Sequence, residues 1–422
     1  MRILHLLSQR PERTGSGIYL QAVIRQAGNA GHRNFLLSGI PEGPPPPLSM
    51  IPSEDRVHIR FEGGDLPFSV VGMSDVMPYP SKCFSTLTAG ELAAYEAVFS
   101  ARLTEAVDRF RPEMIHSHHL WLMTALARRL FPDIPMVCTC HGTDLRQFVN
   151  CPHLRKKVVP TVGGLDGVMA LSRAQAKEIT QRLGIPPERI RVVGGGYDHR
   201  LFTPKEKSPP PPVEILYAGK LSRAKGVPWL LSTLAGMGEL PWRLHMAGSG
   251  TGEENAACLS LAETLGKRVV IHGALDHGAL SALMKRCHIF VLASFFEGLP
   301  LVLLEAMASG CRIVTTALFG VCEVFGGGEG AEFIELIDLP PLETVDAPFK
   351  ADEPLLKQRL ATALYRQIRS ILAGAAIDPC QVEKITRQHT WPAVYGRIEG
   401  VYRKALSMGD APALRGSGTP IA

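Results

Sequence analysis

A chain of 422 residues is too long for one ordinary core and suits two domains of about 200 residues each. Apolar residues make up 45% and charged residues 20%, the balance of a soluble globular protein rather than a disordered or fibrous one. The net charge of +5 and a pI of about 8.7 favour anionic ligands or a membrane surface, but fall far short of a nucleic-acid binder's signature.

The first strand expected is Arg2–Leu7. Its apolar run is too short for a secretory signal and is followed by Arg10, Glu12 and Arg13. With nine cysteines and no Asn-x-Ser/Thr acceptor, the thiols are expected to be reduced and the protein cytoplasmic. Further strands are expected at Asn34–Ser38, Met114–His116, Met136–Cys140, Gly167–Leu171 and Arg191–Val193. Helices are expected between them, at Gly17–Ala30, Ala101–Phe110 and Arg173–Leu183, the last with Ser172 as N-cap and Gly184 as its stop. Lys205–Pro212 reads KEKSPPPP, which can join neither a helix nor a central strand and reads as a semi-rigid spacer.

The alternation then restarts. Strands are expected at Glu214–Ala218, Arg243–Ala247, Val269–His272, Ile289–Ala293 and Arg312–Thr315, with helices at Val227–Leu234, Glu253–Leu265, Ala279–Lys285, Pro300–Ala308 and Leu355–Leu372. The most apolar window, Cys287–Gly310, is interrupted by Glu297, Pro300 and Glu305, so it reads as a buried strand, loop and helix rather than a membrane span. A helix over Pro392–Leu406 and a disordered Gly/Pro/Ser tail from Gly409 close the chain. Two βα series imply an α/β protein with two doubly wound parallel sheets, Rossmann-like and facing a cleft. The expected divisions are 1–203, a linker at 204–212, 213–388, and a returning helix at 389–408.

The strongest motif is Glu297-Gly298-Leu299-Pro300-Leu301-Val302-Leu303-Leu304-Glu305, which follows a strand and opens a helix. Gly298 permits close backbone approach, Pro300 suits a first helical position, and a helix N-terminus offers free N–H groups to a phosphate. Glu305 stands in an apolar stretch, where a carboxylate needs a partner such as a pair of ribose hydroxyls. The plainer alternative is a surface helix with an incidental glutamate. A second motif, Tyr217-Ala218-Gly219-Lys220-Leu221-Ser222-Arg223-Ala224-Lys225-Gly226, places two lysines among glycines after a strand. Such cations can neutralise a leaving diphosphate, or can simply be a solvated loop.

The phrase EGLPLVLLEAMASG resembles glycosyltransferase family 4, among the retaining glycosyltransferases of the GT-B fold. The resemblance implies that Glu297 contacts the hydroxyls of a donor sugar and that Glu305 contacts the ribose of its nucleotide. It implies that Lys220 and Lys225 hold the diphosphate, although the family usually has arginine at the first place; Arg223 is a candidate to compensate. Gly219, Gly248, Gly250, Gly298, Leu299 and Pro300 fall where the family's donor loops lie. Gly15 and Gly17, in Thr14-Gly15-Ser16-Gly17, fall where a glycine loop approaches a phosphate or the acceptor. His141, in His141-Gly142-Thr143-Asp144, falls where a polar contact to the sugar is expected, with Asp144 orienting it or capping a helix; the alternative is a loop histidine.

His116, His118 and His119 resemble the family's strand end IHxHxxW. Metal binding is the rival reading, but with Cys138, Cys140, Cys151 and His153 they make no zinc spacing, so no metal is expected. Arg128, Arg129, Arg155, Lys156 and Lys157 are either a solvated face or a contact with the inner face of a membrane. The resemblance further implies metal-independent transfer from a UDP- or GDP-sugar to a sugar or lipid-linked acceptor, with the nucleotide sugar as co-substrate and no other cofactor. A sugar-nucleotide epimerase or hydrolase of the same fold, or a non-catalytic glycan-assembly protein, are the rival functions. Nucleic acid is not expected as a partner.

Overall fold

A computed structural model describes residues 1–12, 14–75, 77–250, 252–326, 332–344 and 347–409. Residues 410–422, expected to be disordered, lie outside the described residues. The chain forms two compact units, Met1–Val193 with Tyr395–Ala422, and Gly194–Val394.

The first unit contains β1 (Arg2–Leu7), β2 (Arg33–Ile40), β3 (Arg56–Arg60), the two-residue β4 (Val71–Gly72) and β5 (Lys82–Cys83), β6 (Met114–His118), β7 (Met136–Thr139), β8 (Gly167–Ala170) and β9 (Ile190–Val192). Its main sheet has the order β3-β2-β1-β6-β7-β8-β9, and every neighbouring pair is parallel. The chain covers this sheet with α1 (Gly15–Asn29), α2 (Ala89–Phe110), α3 (Leu122–Leu130), α4 (Thr143–Asn150), α5 (Arg155–Val162) and α6 (Arg173–Leu183). A parallel sheet covered on both faces needs continuous apolar strands, and β1 is buried from Ile3 to Leu7. The helix caps follow from local chemistry. Thr14 accepts from Gly17 N at 3.1 Å, Ser172 accepts from Gln175 N at 3.1 Å, and Gly184 closes α6 with φ +67°. Thr88 and Glu91 make a reciprocal capping box that starts α2 three turns earlier than its apolar pattern announces.

The second unit contains β10 (Val213–Ala218), α7 (Val227–Ala235), β11 (Trp242–Ala247), α8 (Gly252–Glu263), β12 (Val269–Gly273), α9 (His277–Arg286), β13 (Ile289–Leu292), α10 (Leu301–Ala308), β14 (Arg312–Thr316), α11 (Phe319–Phe325), β15 (Ile334–Ile337), α12 (Glu353–Leu372) and α13 (Pro379–Thr386). Its sheet, β12-β11-β10-β13-β14-β15, is also parallel throughout. The order reverses beside β10, so the loops after β10 and β13 part there, the place where open α/β sheets bind ligands. Pro300 is the residue before α10 rather than its first helical residue. Part of the unassigned segment 336–348 supplies the end of β15 and a small antiparallel pair, Leu342–Thr344 with Ala347–Pro348.

The units divide at 193/194, ahead of the expected 203/204, because the supposed spacer is strapped to the second unit. Lys207 Nζ donates to Met284 O at 3.1 Å and to Ser309 O at 3.2 Å, and His288 Nε2 lies 2.9 Å from Ser208 O. Lys285 Nζ donates to Leu201 O at 2.9 Å, and Tyr197 bridges to Thr390. Residues 204–212 are therefore part of that unit and not a free linker. The last helix, α14 (Trp391–Gly409), joins the first unit from Tyr395 rather than from 389. Tyr402 Oη lies 2.7 Å from His116 Nδ1, Arg397 Nε donates to Val193 O at 2.8 Å, and Val401 packs where a Cβ on Gly167 would come within 2.9 Å.

Candidate functional site

Three strand-end loops of the second unit are bound to one another. Gly248 stands at φ +141°, and a Cβ there would lie 1.8 Å from Gly219 O, so no other residue fits. Gly219 N donates to Ala247 O at 3.0 Å and Leu221 N to Ser249 O at 3.2 Å, which zip the loop after β10 to the loop after β11. On the other side, Gly226 at φ +70° leaves room for Ala293 O, which a Cβ would approach to 2.0 Å. Phe295 N donates to Ala224 O at 3.0 Å. The buried Tyr217 adds a prop, its hydroxyl donating to Lys220 O at 2.5 Å beneath Gly219. Gly219, Gly248 and Gly226 are thus required by packing, and Gly250, whose Cβ would lie 2.9 Å from Leu221 O, joins them.

This frame brings Lys225 and Glu297 together, Nζ to Oε1 at 2.5 Å, with Ser294 Oγ donating to the same oxygen at 2.9 Å. Sequence reasoning assigned these two side chains to different parts of a ligand and did not foresee that they pair. Ser294 was missed altogether. Its only signal in the sequence is its place at a strand end, three residues before Glu297. Lys220 is partly exposed and Arg223 exposed, on the same loop. Gly298 is partly exposed, while Leu299 and Pro300 are buried, Leu299 lying where a Cβ on Gly195 would come within 3.0 Å.

Glu305 lies inside α10 with 6% of its surface exposed. Among the described residues no donor or cation pairs with its carboxylate, and burial alone pushes its pKa up to about 8. Such a group is expensive to leave unpaired, and a neutral acid or a ligand with two donors resolves the cost.

Gly15, Gly17 and His141 belong to the first unit. Gly17 is fixed by packing, since a Cβ would lie 2.6 Å from Pro11 O, whereas nothing lies within 4 Å of a Cβ on Gly15. His141 is part of a histidine cluster. Its Nε2 lies 2.9 Å from His118 Nδ1, and its ring stands edge-on to Tyr19 at 5.1 Å. Burial, then the neighbouring His119 and His116, push its pKa well below the usual range, so the ring is neutral at pH 7. Asp144 orients the loop rather than the ring, accepting from His141 N at 3.2 Å and from Leu120 N at 2.9 Å. His118 as a partner of His141 was not anticipated, although both were singled out.

Nitrogens of His5, His116 and His118 lie within 4.8 Å of one another. The donor set does not suit a shared ion. His116 uses both nitrogens, on Tyr402 Oη at 2.7 Å and Thr139 Oγ1 at 2.8 Å. Its ring also stacks on His118 at 4.4 Å and 24°, so the in-plane lone pairs run alongside each other instead of converging. Cys138, Cys140 and Cys151 are buried free thiols whose pKa values burial pushes up, which suits packing rather than ligation.

Four of the five singled-out basic residues of the first unit make contacts within it. Arg128 is buried on Asp166 at 3.0 Å, Lys157 pairs with Glu96 at 2.9 Å, Arg129 donates to Lys157 O at 2.9 Å, and Arg155 caps Phe148. Lys156 alone of the five has neither an ion pair nor a side-chain hydrogen bond among the described residues, and Arg129 and Lys156 are exposed. No described helix is long and apolar enough to cross a membrane.

Two doubly wound parallel sheets in one chain, the second carrying glycine-framed loops that converge on Lys225 and Glu297, define a glycosyltransferase of the GT-B fold. Solved structures of that architecture superimpose over nearly the whole chain. Sucrose-phosphate synthase from Thermosynechococcus elongatus has a TM-score of 0.72 at 18% identity, covering 97% of this chain and all of the other. Anabaena HepE in complex with UDP-glucose has a TM-score of 0.64 at 17% identity, covering 96% and 99%. Residues 13–201 match Glycosyltransferase Family 4, and residues 198–335 match Glycosyl transferases group 1. Glycogen synthase of Mycobacterium tuberculosis is 29% identical over 387 residues, 88% of this chain and 91% of that one. The MMP alpha-(1->4)-mannosyltransferase of Mycolicibacterium hassiacum is 27% identical over 423 residues, 93% and 95% of the two chains. The chain belongs to glycosyltransferase family 4 and is an enzyme of glycan synthesis.

Proposed function

We propose that the enzyme moves a hexosyl group from a nucleoside diphosphate sugar to an α-glucan-like saccharide acceptor, with retention at the anomeric carbon and without a metal ion, in the cytoplasm. The observation that carries the donor assignment is Glu305, a carboxylate built into an apolar helix with no partner among the described residues. The two hydroxyls of a ribose supply the donors that it lacks. The α-glucan acceptor is suggested by the relatives that are a glycogen synthase and an α-(1→4)-mannosyltransferase.

In this reading Lys225 exchanges its ion pair with Glu297 for the diphosphate, with Lys220 and Arg223 nearby on the same loop. Glu297 then accepts from hydroxyls of the sugar. As the bond from the anomeric carbon to the phosphate oxygen breaks, negative charge grows on the diphosphate, where the lysines stabilise it. The acceptor oxygen attacks from the same face, and its proton passes to the departing phosphate oxygen. His141, whose ring burial keeps neutral, is the first unit's candidate contact to a sugar hydroxyl.

The test is thermal unfolding with UDP, GDP and ADP, with and without EDTA, followed by transfer assays with the matching nucleotide glucose or mannose and maltoheptaose. A nucleotide at 100 times its Kd stabilises by about 2.7 kcal/mol. A shift that survives EDTA is expected, together with an elongated glycoside. No shift with any nucleotide refutes the donor site, and donor consumption without a glycoside refutes the transferase reading.

A further inference from the structure

We propose that Phe319 is a saccharide-stacking residue that sets the enzyme's preference for its acceptor, an inference that rests on the donor assignment above. Phe319 opens α11 directly after β14, and 82% of its surface is exposed, the highest value for any large apolar side chain among the described residues. Its neighbours Gly320 and Val321 are buried, so the aromatic ring points outward from an otherwise packed turn. So exposed a ring keeps few of the dispersion contacts that burial would give it.

Its place in the fold indicates the occupant. β14 is the parallel neighbour of β13, so both strands end at the same edge of the sheet, about 5 Å apart. Thr316, three residues before Phe319, donates to Ser294 O at 2.5 Å, and Ser294 Oγ in turn holds Glu297 at 2.9 Å. Along that edge the loops follow one another in strand order: the Gly248 turn after β11, the lysines after β10, Glu297 after β13, and Phe319 after β14. The lysines take the diphosphate and Glu297 the transferred sugar, so Phe319 stands one strand beyond Glu297, on the side opposite the lysines. The next ring in that direction is one from the acceptor saccharide. A pyranose has an axial C–H face that packs on an aromatic ring, which a phenyl group with no polar handle can offer to a sugar and to little else at this place.

The experiment compares wild type, Phe319→Ala and Phe319→Trp with maltoheptaose as acceptor and the nucleotide glucose that gives the largest thermal shift as donor. Phe319→Ala is expected to raise the KM for maltoheptaose tenfold or more while the donor KM and the nucleotide-induced Tm shift stay within twofold, and Phe319→Trp is expected to restore the acceptor KM. An unchanged acceptor KM in Phe319→Ala overturns the proposal, as does a rise confined to the donor KM or a wild type that does not use maltoheptaose. A wild type that shows no nucleotide-induced shift instead sinks the donor assignment itself, so the two failures are told apart.

Discussion

Replacing Glu305 by glutamine removes an acid that has no partner among the described residues and leaves the side chain's shape intact. The unfolded-state pKa is 4.5 and the folded one about 8. Between those values the native protein keeps a proton that the unfolded chain has released, so stability falls as pH rises. Each pKa unit corresponds to about 1.4 kcal/mol, so the loss between pH 5 and pH 8 is at most about 4 kcal/mol. Glutamine does not titrate. The stability of Glu305→Gln relative to wild type is therefore expected to be near zero at pH 5 and to grow with pH, levelling off above pH 8. Urea unfolding of both proteins at pH 5, 6, 7 and 8 measures this difference directly. Ligand binding moves the other way: ribose hydroxyls donate to the ionised form, so nucleotide affinity of the wild type rises from pH 6 to pH 8 and that of Glu305→Gln is low and flat. Parallel stability profiles for the two proteins, or equal nucleotide affinities, would falsify the account of Glu305 as an unpartnered ribose acceptor.

Lys225→Ala is expected to lower kcat/KM by roughly 10²–10³, the scale for losing a group that stabilises charge in the transition state; steady-state kinetics showing less than a threefold change contradict the diphosphate role. His141→Ala is expected to reduce turnover more than nucleotide affinity, and equal turnover numbers count against the sugar contact. His5 and His119 are each lowered to about 4 by burial, so the unfolded chain binds protons below pH 6.5 that the native one refuses. Stability is full above pH 6.5 and drops by up to about 2 kcal/mol per histidine at pH 5, measurable as a lowered urea midpoint in the Glu305→Gln background. Gly248→Ala is expected to destabilise severely, because its Cβ would lie 1.8 Å from Gly219 O, while Gly15→Ala meets nothing within 4 Å. Thermal melts check both, and a loss of activity in a fully stable Gly15→Ala then reports on ligand approach.

The apolar runs of the buried strands, which need no partner to be recognised, were legible in the chain. β1 and α6 match their expected bounds, and the other named strands differ by a residue or two at their ends. β3, mostly polar, and β15, only four residues long, escaped notice as edge strands, which form where a sheet offers them hydrogen bonds. The helices α3, α4, α5, α11 and α13 were not named; each is nine residues or fewer, and packing rather than propensity holds helices of that length. For the site, the sequence determined the chemical inventory and the strand ends that carry it, since Glu297, the lysines and the glycines sit where βα units turn and Glu305 lies in the helix that follows. Only the tertiary structure decided which glycines are demanded by another backbone, that Lys225 and Glu297 are paired, that Glu305 is buried without a partner among the described residues, and that the proline-rich segment is strapped to one unit. Local sequence specifies periodicity and turn chemistry, whereas partnership and burial depend on residues tens of positions apart, which only the folded chain brings within reach.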